Sequence, residues 1–256
     1  GRKLSMSIFP LSVREIIKNS IFEDISYEGS QFLKYGTYPK VLSTMADGQK
    51  QEILLELAES YLYKDVLEFQ GIRKAPMIAK LAQMLALQVG NQVSLSELSK
   101  SLEINKETVQ NYIDVLIKSF IIFPLASLSR NPRKELHKSM KYYFFVNGIR
   151  NAIIRNFSDL DVRSDVGALW ENFVVSEMYK RYTYDKKAFI MYHWRTYDQK
   201  EIDLVIEENG ILSAFECKYS GDGTDVSRAT QHTWTSMYPH TPISVINKNN
   251  FISFLK

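Results

Sequence analysis

The sequence predicts an α/β protein, α+β overall, in which a helical N-terminal region precedes a domain built from helices and strands. The first observation is that apolar residues recur at helical spacing over most of the first half of the chain. The second is that, after about residue 148, the pattern changes to helix, strand, strand, strand, helix, strand, helix. The 256 residues suffice for two domains, or for one large domain with an appendage.

The composition is typical of a soluble globular protein: 45% of the residues are hydrophobic, 24% are charged, and the formal net charge is +3. No apolar run approaches the about 20 residues that cross a bilayer, so we expect no membrane partner. The single cysteine, Cys217, allows no internal disulfide, and the four histidines have no zinc-binding spacing. These features favour the cytoplasm. Because the chain starts at Gly1 without an initiator Met, we expect a fragment of a longer protein.

Residues 1–75 are predicted to be helical with intervening loops. Ser12 followed by Glu15 has the spacing of a capping box, and apolar residues recur at helical spacing over residues 53–62. A turn-rich segment at residues 35–39 separates the two helical stretches. Nothing in this region indicates a specific chemistry.

Residues 76–147 are predicted to form a winged helix. Pro76, Ser94 and Asn105 each have the residue type that begins a helix, and apolar faces follow all three. Residues 120–128 and 142–146 are strand-like and would form a hairpin wing after the third helix. The sequence therefore predicts a helix-turn-helix with a wing.

A winged helix suggests DNA as a partner. The third helix would place Lys106, Gln110 and Asn111 toward the major groove. The wing would supply basic contacts to phosphates from Arg130, Arg133, Lys134 and Lys138, within a local basic excess that also includes Lys141. Glu107 and Asp114 on the same helix argue against DNA binding, because acidic groups repel phosphate. A packing module is the alternative.

The strongest short-range signal is the pair Asn209 and Gly210, which lies between two apolar runs and is typical of a type I′ hairpin turn. With these residues in the loop, the register places Asp203 opposite Glu216. It also places Glu201 opposite Lys218. The period of two predicts that these four side chains share one face of the sheet. The opposite face would be covered and would carry Ile202, Leu204, Ile206, Ser213, Phe215 and Cys217.

This arrangement suits phosphodiester hydrolysis. Two carboxylates with Cβ atoms about 4.5–5.5 Å apart repel each other unless a cation or a shared proton separates them. Asp203 and Glu216 are therefore predicted to bind Mg²⁺ or Mn²⁺, with Glu171 on the preceding helix as a further ligand. Lys218 would orient the attacking water and offset charge on the phosphate. A plain alternative is a cross-strand salt bridge between Glu201 and Lys218.

Residues 195–220, which include Glu-Ile-Asp-Leu-Val-Ile and Phe-Glu-Cys-Lys-Tyr-Ser, resemble the PD-(D/E)XK nuclease-like fold. The resemblance implies that Asp203 is the strand aspartate, that Glu216 and Lys218 form the Glu-x-Lys motif, and that Glu171 is the helix carboxylate.

Nearly the whole chain also resembles the C-terminal domain of unknown function that follows the ATPase module in many prokaryotic AAA+ proteins. The matching segments are residues 9–12, 36–39, 138–144 and 167–173. The resemblance implies an upstream ATPase module, which would bind the ATP. This chain has no Gly-x-x-x-x-Gly-Lys-Ser/Thr phosphate loop, which agrees with a fragment that lacks that module. AAA+ relatives suggest an oligomeric ring by analogy.

We therefore expect a helical region at residues 1–75, a winged helix at 76–147 and a nuclease-like α-β-β-β-α-β domain at 148–256. The leading hypothesis is a metal-dependent DNA-processing domain of a longer AAA+ protein. The alternative is a binding or regulatory module in which a nuclease-like fold does not cut. A purely protein-interaction domain is the third hypothesis.

Overall fold

A computed structural model describes residues 8–19, 25–65, 75–129, 140–220 and 226–255. The N-terminal helices are α1 (Val13–Lys18), α2 (Ile25–Tyr35), α3 (Pro39–Leu42) and α4 (Asp47–Glu59), which continues into a π-helical turn, Ser60–Asp65. The predicted capping box is present, since the Ser12 side chain accepts from the Glu15 backbone and the Glu15 carboxylate accepts from the Ser12 backbone. The helical character of this region is confirmed.

The next region contains α5 (Ala75–Leu87), α6 (Leu95–Leu102), α7 (Lys106–Lys118), β1 (Ile122–Ser127) and β2 (Met140–Phe144). Ser94 and Asn105 cap α6 and α7, because their side-chain oxygens accept backbone N–H groups of Glu97 and Thr108. The strands β1 and β2 pair antiparallel. The three helices and the hairpin are confirmed, whereas the winged-helix interpretation stays a prediction.

The C-terminal part consists of α8 (Asn147–Ile153), a 3₁₀ turn (Leu160–Val162), α9 (Val166–Tyr184), β3 (Phe189–Arg195), β4 (Glu201–Glu208), β5 (Ile211–Cys217), α10 (Arg228–Met237), β6 (Ile243–Ile246) and α11 (Phe251–Leu255). The predicted order of helices and strands is confirmed from Val166 onward, but α8 and the 3₁₀ turn, which lie after the predicted start near residue 148, are not part of it. In the described residues, no helix is long and apolar enough to cross a membrane.

All six strands belong to one mixed sheet with the order β2-β1-β3-β4-β5-β6. The hairpin of the predicted winged helix is part of this sheet, because β1 pairs parallel with β3 through Ala126 and Ser127. Tyr143 and Phe144 on β2 are fully buried. The sheet is therefore continuous across the predicted domain boundary at residue 147.

Helices cover both faces of the C-terminal strands. On one face Phe215 contacts Phe254 of α11 and Tyr219 contacts Trp170 of α9, both edge to face. On the other face α10 packs against the strands through Trp234, within a second apolar cluster formed by Trp194, Ile202, Val205, Ala214, Trp234 and Tyr238. The strands are therefore enclosed between two helical layers.

The predicted hairpin register is confirmed from the turn to Leu204 and Phe215, whereas the pairs predicted beyond it, Asp203 with Glu216 and Glu201 with Lys218, are not among the observed strand pairs. Asn209 and Gly210 both have positive φ, at 52° and 79°, as a type I′ turn requires. Glu208 pairs with Ile211, and the pairing continues to Leu204 opposite Phe215.

A β-bulge at Asp203 and Leu204 changes the predicted faces. Tyr192 pairs with Val205 but Trp194 pairs with Ile202, so two residues of β4 lie opposite His193 alone. Ile202 consequently packs in the second cluster with Trp194, whereas Leu204 and Ile206 pack in the main core. The prediction that Ile202 shares a face with Leu204 is wrong, because it assumed an uninterrupted period of two.

Candidate active site

The bulge, the hairpin and α9 bring the predicted site residues together. Asp203 lies in the bulge of β4 near its start, Glu216 lies near the end of β5, and Lys218 follows that strand. Glu171 lies in the second turn of α9. The parallel pairing of Glu216 with Val245 and a hydrogen bond from the Lys218 N–H to the Ile246 carbonyl, at 3.0 Å, hold the end of β5 in place.

Asp203, Glu216 and Lys218 form a polar group at the end of β5, in which each carboxylate accepts a hydrogen bond from the residue that follows Glu216 or from Lys218. The Cys217 backbone N–H donates to Asp203 Oδ2 at 2.8 Å, and Lys218 Nζ donates to Glu216 Oε1 at 2.7 Å. The other oxygen, Glu216 Oε2, is buried and has no hydrogen-bond partner among the described residues. The Lys218 side chain is 40% exposed, against 13% for Glu216. The group thus places a partly exposed ammonium beside a mostly buried carboxylate that has one unpartnered oxygen among the described residues.

The carboxyl groups of this group hold protons more tightly than exposed carboxyl groups do. Burial, followed by the charge of Asp203, raises the pKa of Glu216 to about 7, against the opposing effect of Lys218. Burial also raises the pKa of Asp203, although Lys141 and the Cys217 N–H oppose the shift. The cause is the one expected for neighbouring carboxylates in a poorly solvated site.

Lys141 of β2 binds two further carboxylates beside this polar group, Glu171 and Glu201. Its side chain is 1% exposed, and Nζ lies 3.0 Å from Glu171 Oε1 and 2.6 Å from Glu201 Oε1. The Tyr143 hydroxyl donates to the same Glu171 oxygen at 2.5 Å. Lys141, which the sequence counts in the basic excess of the wing, is therefore buried and bound by two carboxylates.

Glu201 does not pair with Lys218. One Glu201 oxygen binds Lys141, and the other lies 3.3 Å from Arg195 Nη1. Lys218 binds Glu216 instead. The predicted cross-strand salt bridge is therefore wrong, because a lysine from the other end of the sheet and an arginine from β3 engage Glu201.

Glu171 is enclosed on two sides. Burial and the charge of Asp203 raise its pKa to about 8, although Lys141 and Tyr143 favour the ionised form. Gly90, in the loop between α5 and α6, approaches it so closely that a Cβ there would lie 3.0 Å from Glu171 Oε2. The loop between α5 and α6 therefore packs directly against the Glu171 side of the site.

The site fits a cation only in part. No group of three or more His, Cys, Asp and Glu side chains could hold a metal ion in the part of the chain that the structure describes. Mg²⁺ is commonly held by one or two carboxylates, with waters and substrate phosphates completing its shell. Asp203 and Glu216 fit that role, since Glu216 Oε2 lacks a partner among the described residues. Glu171 fits it less well, because its Oε1 binds Lys141 and Tyr143.

The predicted DNA-contacting residues divide into two groups. On α7, Lys106 and Asn111 are exposed, while Gln110 donates to Asp114 at 2.9 Å. The predicted wing contacts lie outside the described residues: Arg130, Arg133, Lys134 and Lys138. DNA contact by either group stays a prediction.

Sequence reasoning missed the role of Lys141 and Tyr143. The signal that could have found them is a single lysine at the start of an otherwise apolar and aromatic strand, residues 140–146. A lysine in such a strand needs a buried anionic partner. The partners themselves lie 30 and 60 residues away, too far for any local pattern to identify them.

Sequence comparison with known proteins gives two family matches. Residues 166–254 match the model of a domain of unknown function, DUF4143. Uncharacterized proteins from Methanocaldococcus jannaschii and Haemophilus influenzae are 26% and 27% identical, over 71% and 80% of this chain and 43% and 50% of their own lengths. One from Mycobacterium tuberculosis is 28% identical over 62% of this chain and 36% of its own length.

The chain thus spans half or less of the length of these relatives, which come from both archaea and bacteria. No solved structure matches it. The second family match covers residues 28–160, slightly more than half of the chain. On that match, the chain belongs to the family described as domain of unknown function DUF8612.

Proposed function

We propose that this chain is the C-terminal part of an AAA+ protein and hydrolyses DNA phosphodiesters with the help of Mg²⁺ or Mn²⁺. The observation that carries the proposal is that Asp203 and Glu216 are neighbouring, mostly enclosed carboxyl groups. Among the described residues Glu216 has one unpartnered oxygen, and the ammonium of Lys218 lies beside it. The order of α9, β3, β4, β5, α10 and β6 supports a PD-(D/E)XK nuclease-like fold.

Each residue of the group has a distinct role in this proposal. Asp203 and Glu216 would hold the cation, which as a Lewis acid would polarise the scissile phosphate. Lys218 is exposed enough to reach a substrate, and its ammonium would offset negative charge that develops on the phosphate. Glu216 keeps that ammonium in place through the 2.7 Å hydrogen bond.

The remaining parts of the proposal concern DNA and the ATPase module. Lys106, Gln110 and Asn111 on α7 would contact DNA, as would the basic residues at 130–138. An upstream AAA+ module would bind ATP and couple its hydrolysis to the action of this chain on DNA. The matched segments make up half or less of the relatives, which leaves room in those proteins for such a module.

The first test compares the wild type with Asp203→Asn and Glu216→Gln in Mn²⁺ titration calorimetry and in cleavage of supercoiled, linear and single-stranded DNA. We expect both variants to lose cleavage and about 10-fold or more in Mn²⁺ affinity. Glu56→Gln, an exposed glutamate of α4, is the matched control and should behave as wild type. Cleavage that survives Asp203→Asn would refute the assignment.

A non-cutting regulatory module is the second candidate. The observation that favours it is that Lys141, instead of a metal ion, binds both Glu171 and Glu201. This candidate predicts salt-sensitive DNA binding without cleavage, weakened by neutralising Arg130, Arg133 and Lys134 together. Folded wild-type protein that neither binds Mn²⁺ nor cuts DNA, but binds DNA in this way, would establish it.

A further inference from the structure

Lys141 is a buried cation whose neighbours are those of a metal ion. Its Nζ lies within 3.0 Å of two carboxylate oxygens that come from different elements, Glu171 on α9 and Glu201 on β4. Burial alone lowers the pKa of a lysine, but the charges of Glu171, Glu201 and Asp203 outweigh that effect and raise the pKa of Lys141. The ammonium therefore stays charged inside the cluster.

The acidic cluster consists of Glu171, Glu201, Asp203 and Glu216. It divides into two halves, and Asp203 is a charged neighbour of both. In one half Glu171 and Glu201 bind Lys141, and Tyr143 and Arg195 satisfy further acceptor positions. In the other half Glu216 keeps one oxygen that has no partner in the described part of the chain. The second half therefore offers a buried acceptor, Glu216 Oε2, without a hydrogen-bond partner among the described residues.

We propose that Lys141 is a built-in counter-cation that fills the Glu171–Glu201 half of the cluster, so that the protein accepts one divalent ion at Asp203 and Glu216 instead of two. The inference rests on the proposed function for the location of that ion. It assigns Lys141 as a positioning residue, which holds two carboxylates and excludes a metal from them without touching the substrate.

Charge and geometry both support this role. Removal of the ammonium takes away the cation that Glu171 and Glu201 share, so that another cation or a proton must replace it. Carboxylate oxygens are ligands that Mn²⁺ and Mg²⁺ prefer. Replacing lysine by alanine removes three methylenes and the ammonium, which leaves space as well as negative charge between Glu171 and Glu201.

The test counts the Mn²⁺ ions bound per chain by wild type and Lys141→Ala, using calorimetry together with electron paramagnetic resonance of free Mn²⁺. We expect one ion in the wild type and two in the variant. Propylammonium has the atoms that the substitution removes, so adding it should return the variant to one ion. Propanol, which is of similar size and uncharged, should not.

The outcomes separate this inference from the proposed function. One ion in both proteins overturns the inference and leaves the proposed function standing. No ion in the wild type and one in Lys141→Ala supports the counter-cation role but overturns the assignment of Asp203 and Glu216 as ligands. No ion in either protein overturns both.

A second variant keeps the inference testable if Lys141→Ala does not fold. Glu201→Gln retains the lysine and removes one of its two carboxylates. Because Glu201 binds Lys141 and not the metal, we expect the variant to bind the same number of Mn²⁺ ions as wild type. Loss of the bound ion in Glu201→Gln, with the circular dichroism of wild type, would show that Glu201 is a metal ligand and overturn the inference.

Discussion

The carboxyl groups of Glu171 and Glu216 make stability depend on pH in an unusual direction. Their pKa values in the folded protein are raised to about 8 and about 7, chiefly by burial. Between pH 5 and pH 8 the folded state therefore binds more protons than the unfolded state, so the free energy of unfolding falls as the pH rises. The stability that these protonated carboxyl groups contribute is fully present below the pKa values they have in the unfolded chain. It is lost as the pH rises through their folded-state values of about 7 and about 8.

We accordingly expect the free energy of unfolding to be lower at pH 8 than at pH 5, by on the order of a few kcal/mol. Urea unfolding at intervals of one pH unit measures the slope. Glu171→Gln should flatten the curve, because the amide does not titrate, whereas Glu56→Gln should leave it unchanged. A curve that rises from pH 5 to pH 8 in the wild type would contradict this account.

The pKa of Asp165 is shifted downward, in contrast to the raised pKa values of Glu171 and Glu216. Arg163 and Arg150 donate to its two oxygens at 2.6–2.8 Å and lower its pKa to about 2. Both guanidinium groups are buried. Asp165→Asn would leave two buried cations without their carboxylate, so we expect it to lower the free energy of unfolding by about 3 kcal/mol.

Chemical unfolding at pH 7 measures this loss, and Asp159→Asn is the matched control. Asp159 accepts from Lys34, but its side chain is 78% exposed. Its replacement should leave the free energy of unfolding unchanged, since exposed ion pairs contribute little. Equal losses in the two variants would show that burial of the arginines is not what makes Asp165 important.

At the scale of elements, α8 and α2 meet at a glycine. A Cβ on Gly148, in the first turn of α8, would lie 2.0 Å from the Tyr35 carbonyl oxygen at the end of α2. The contact is to backbone, which cannot move aside as a flexible side chain can. The residue at this position must therefore lack a side chain if the two helices are to pack as they do.

We expect Gly148→Ala to lower the free energy of unfolding by about 3 kcal/mol or more, because the helices must separate to admit the methyl group. Gly167→Ala in α9 is the control. A Cβ there meets nothing within 4 Å, and alanine favours the helix by up to about 1 kcal/mol. Thermal unfolding compares Gly148→Ala and Gly167→Ala with the wild type. A Gly148→Ala protein as stable as the wild type would mean that α2 and α8 are not packed this closely.

At the scale of the whole molecule, the continuous sheet couples the predicted regions. β1 and β2 belong to the N-terminal side of the predicted boundary at residue 147, yet β1 pairs with β3 and β2 supplies Lys141 to the site. Asn151 of α8, on the C-terminal side of that boundary, also bonds to α2, because its amide donates to the carbonyls of Leu33 and Lys34. We therefore expect one cooperative unfolding transition.

Two probes test this cooperativity. All three tryptophans, Trp170, Trp194 and Trp234, lie in the C-terminal part, whereas most of the described helices precede residue 154. Tryptophan fluorescence and far-ultraviolet circular dichroism should therefore give coincident unfolding curves. Two separated transitions would instead support independent domains that meet near residue 147.

Local sequence is sufficient to predict the helix caps and the hairpin of this protein. Ser12, Ser94 and Asn105 begin helices, and Asn209 with Gly210 sets the hairpin register, because caps and tight turns depend on residues only two to four positions apart. Counting outward from the same turn also predicts that Asp203 and Glu216 lie near each other, and a hydrogen bond joins Asp203 to the residue after Glu216.

The neutralisation of the acidic cluster, in contrast, depends on tertiary packing. The bulge at Asp203 arises from pairing with β3, and the period of two along β4 gives no sign of it. Lys141 meets Glu171 and Glu201 because the sheet and α9 bring distant segments together. Buried charges choose partners by proximity in space, and that proximity is set by packing of the whole chain and not by sequence spacing.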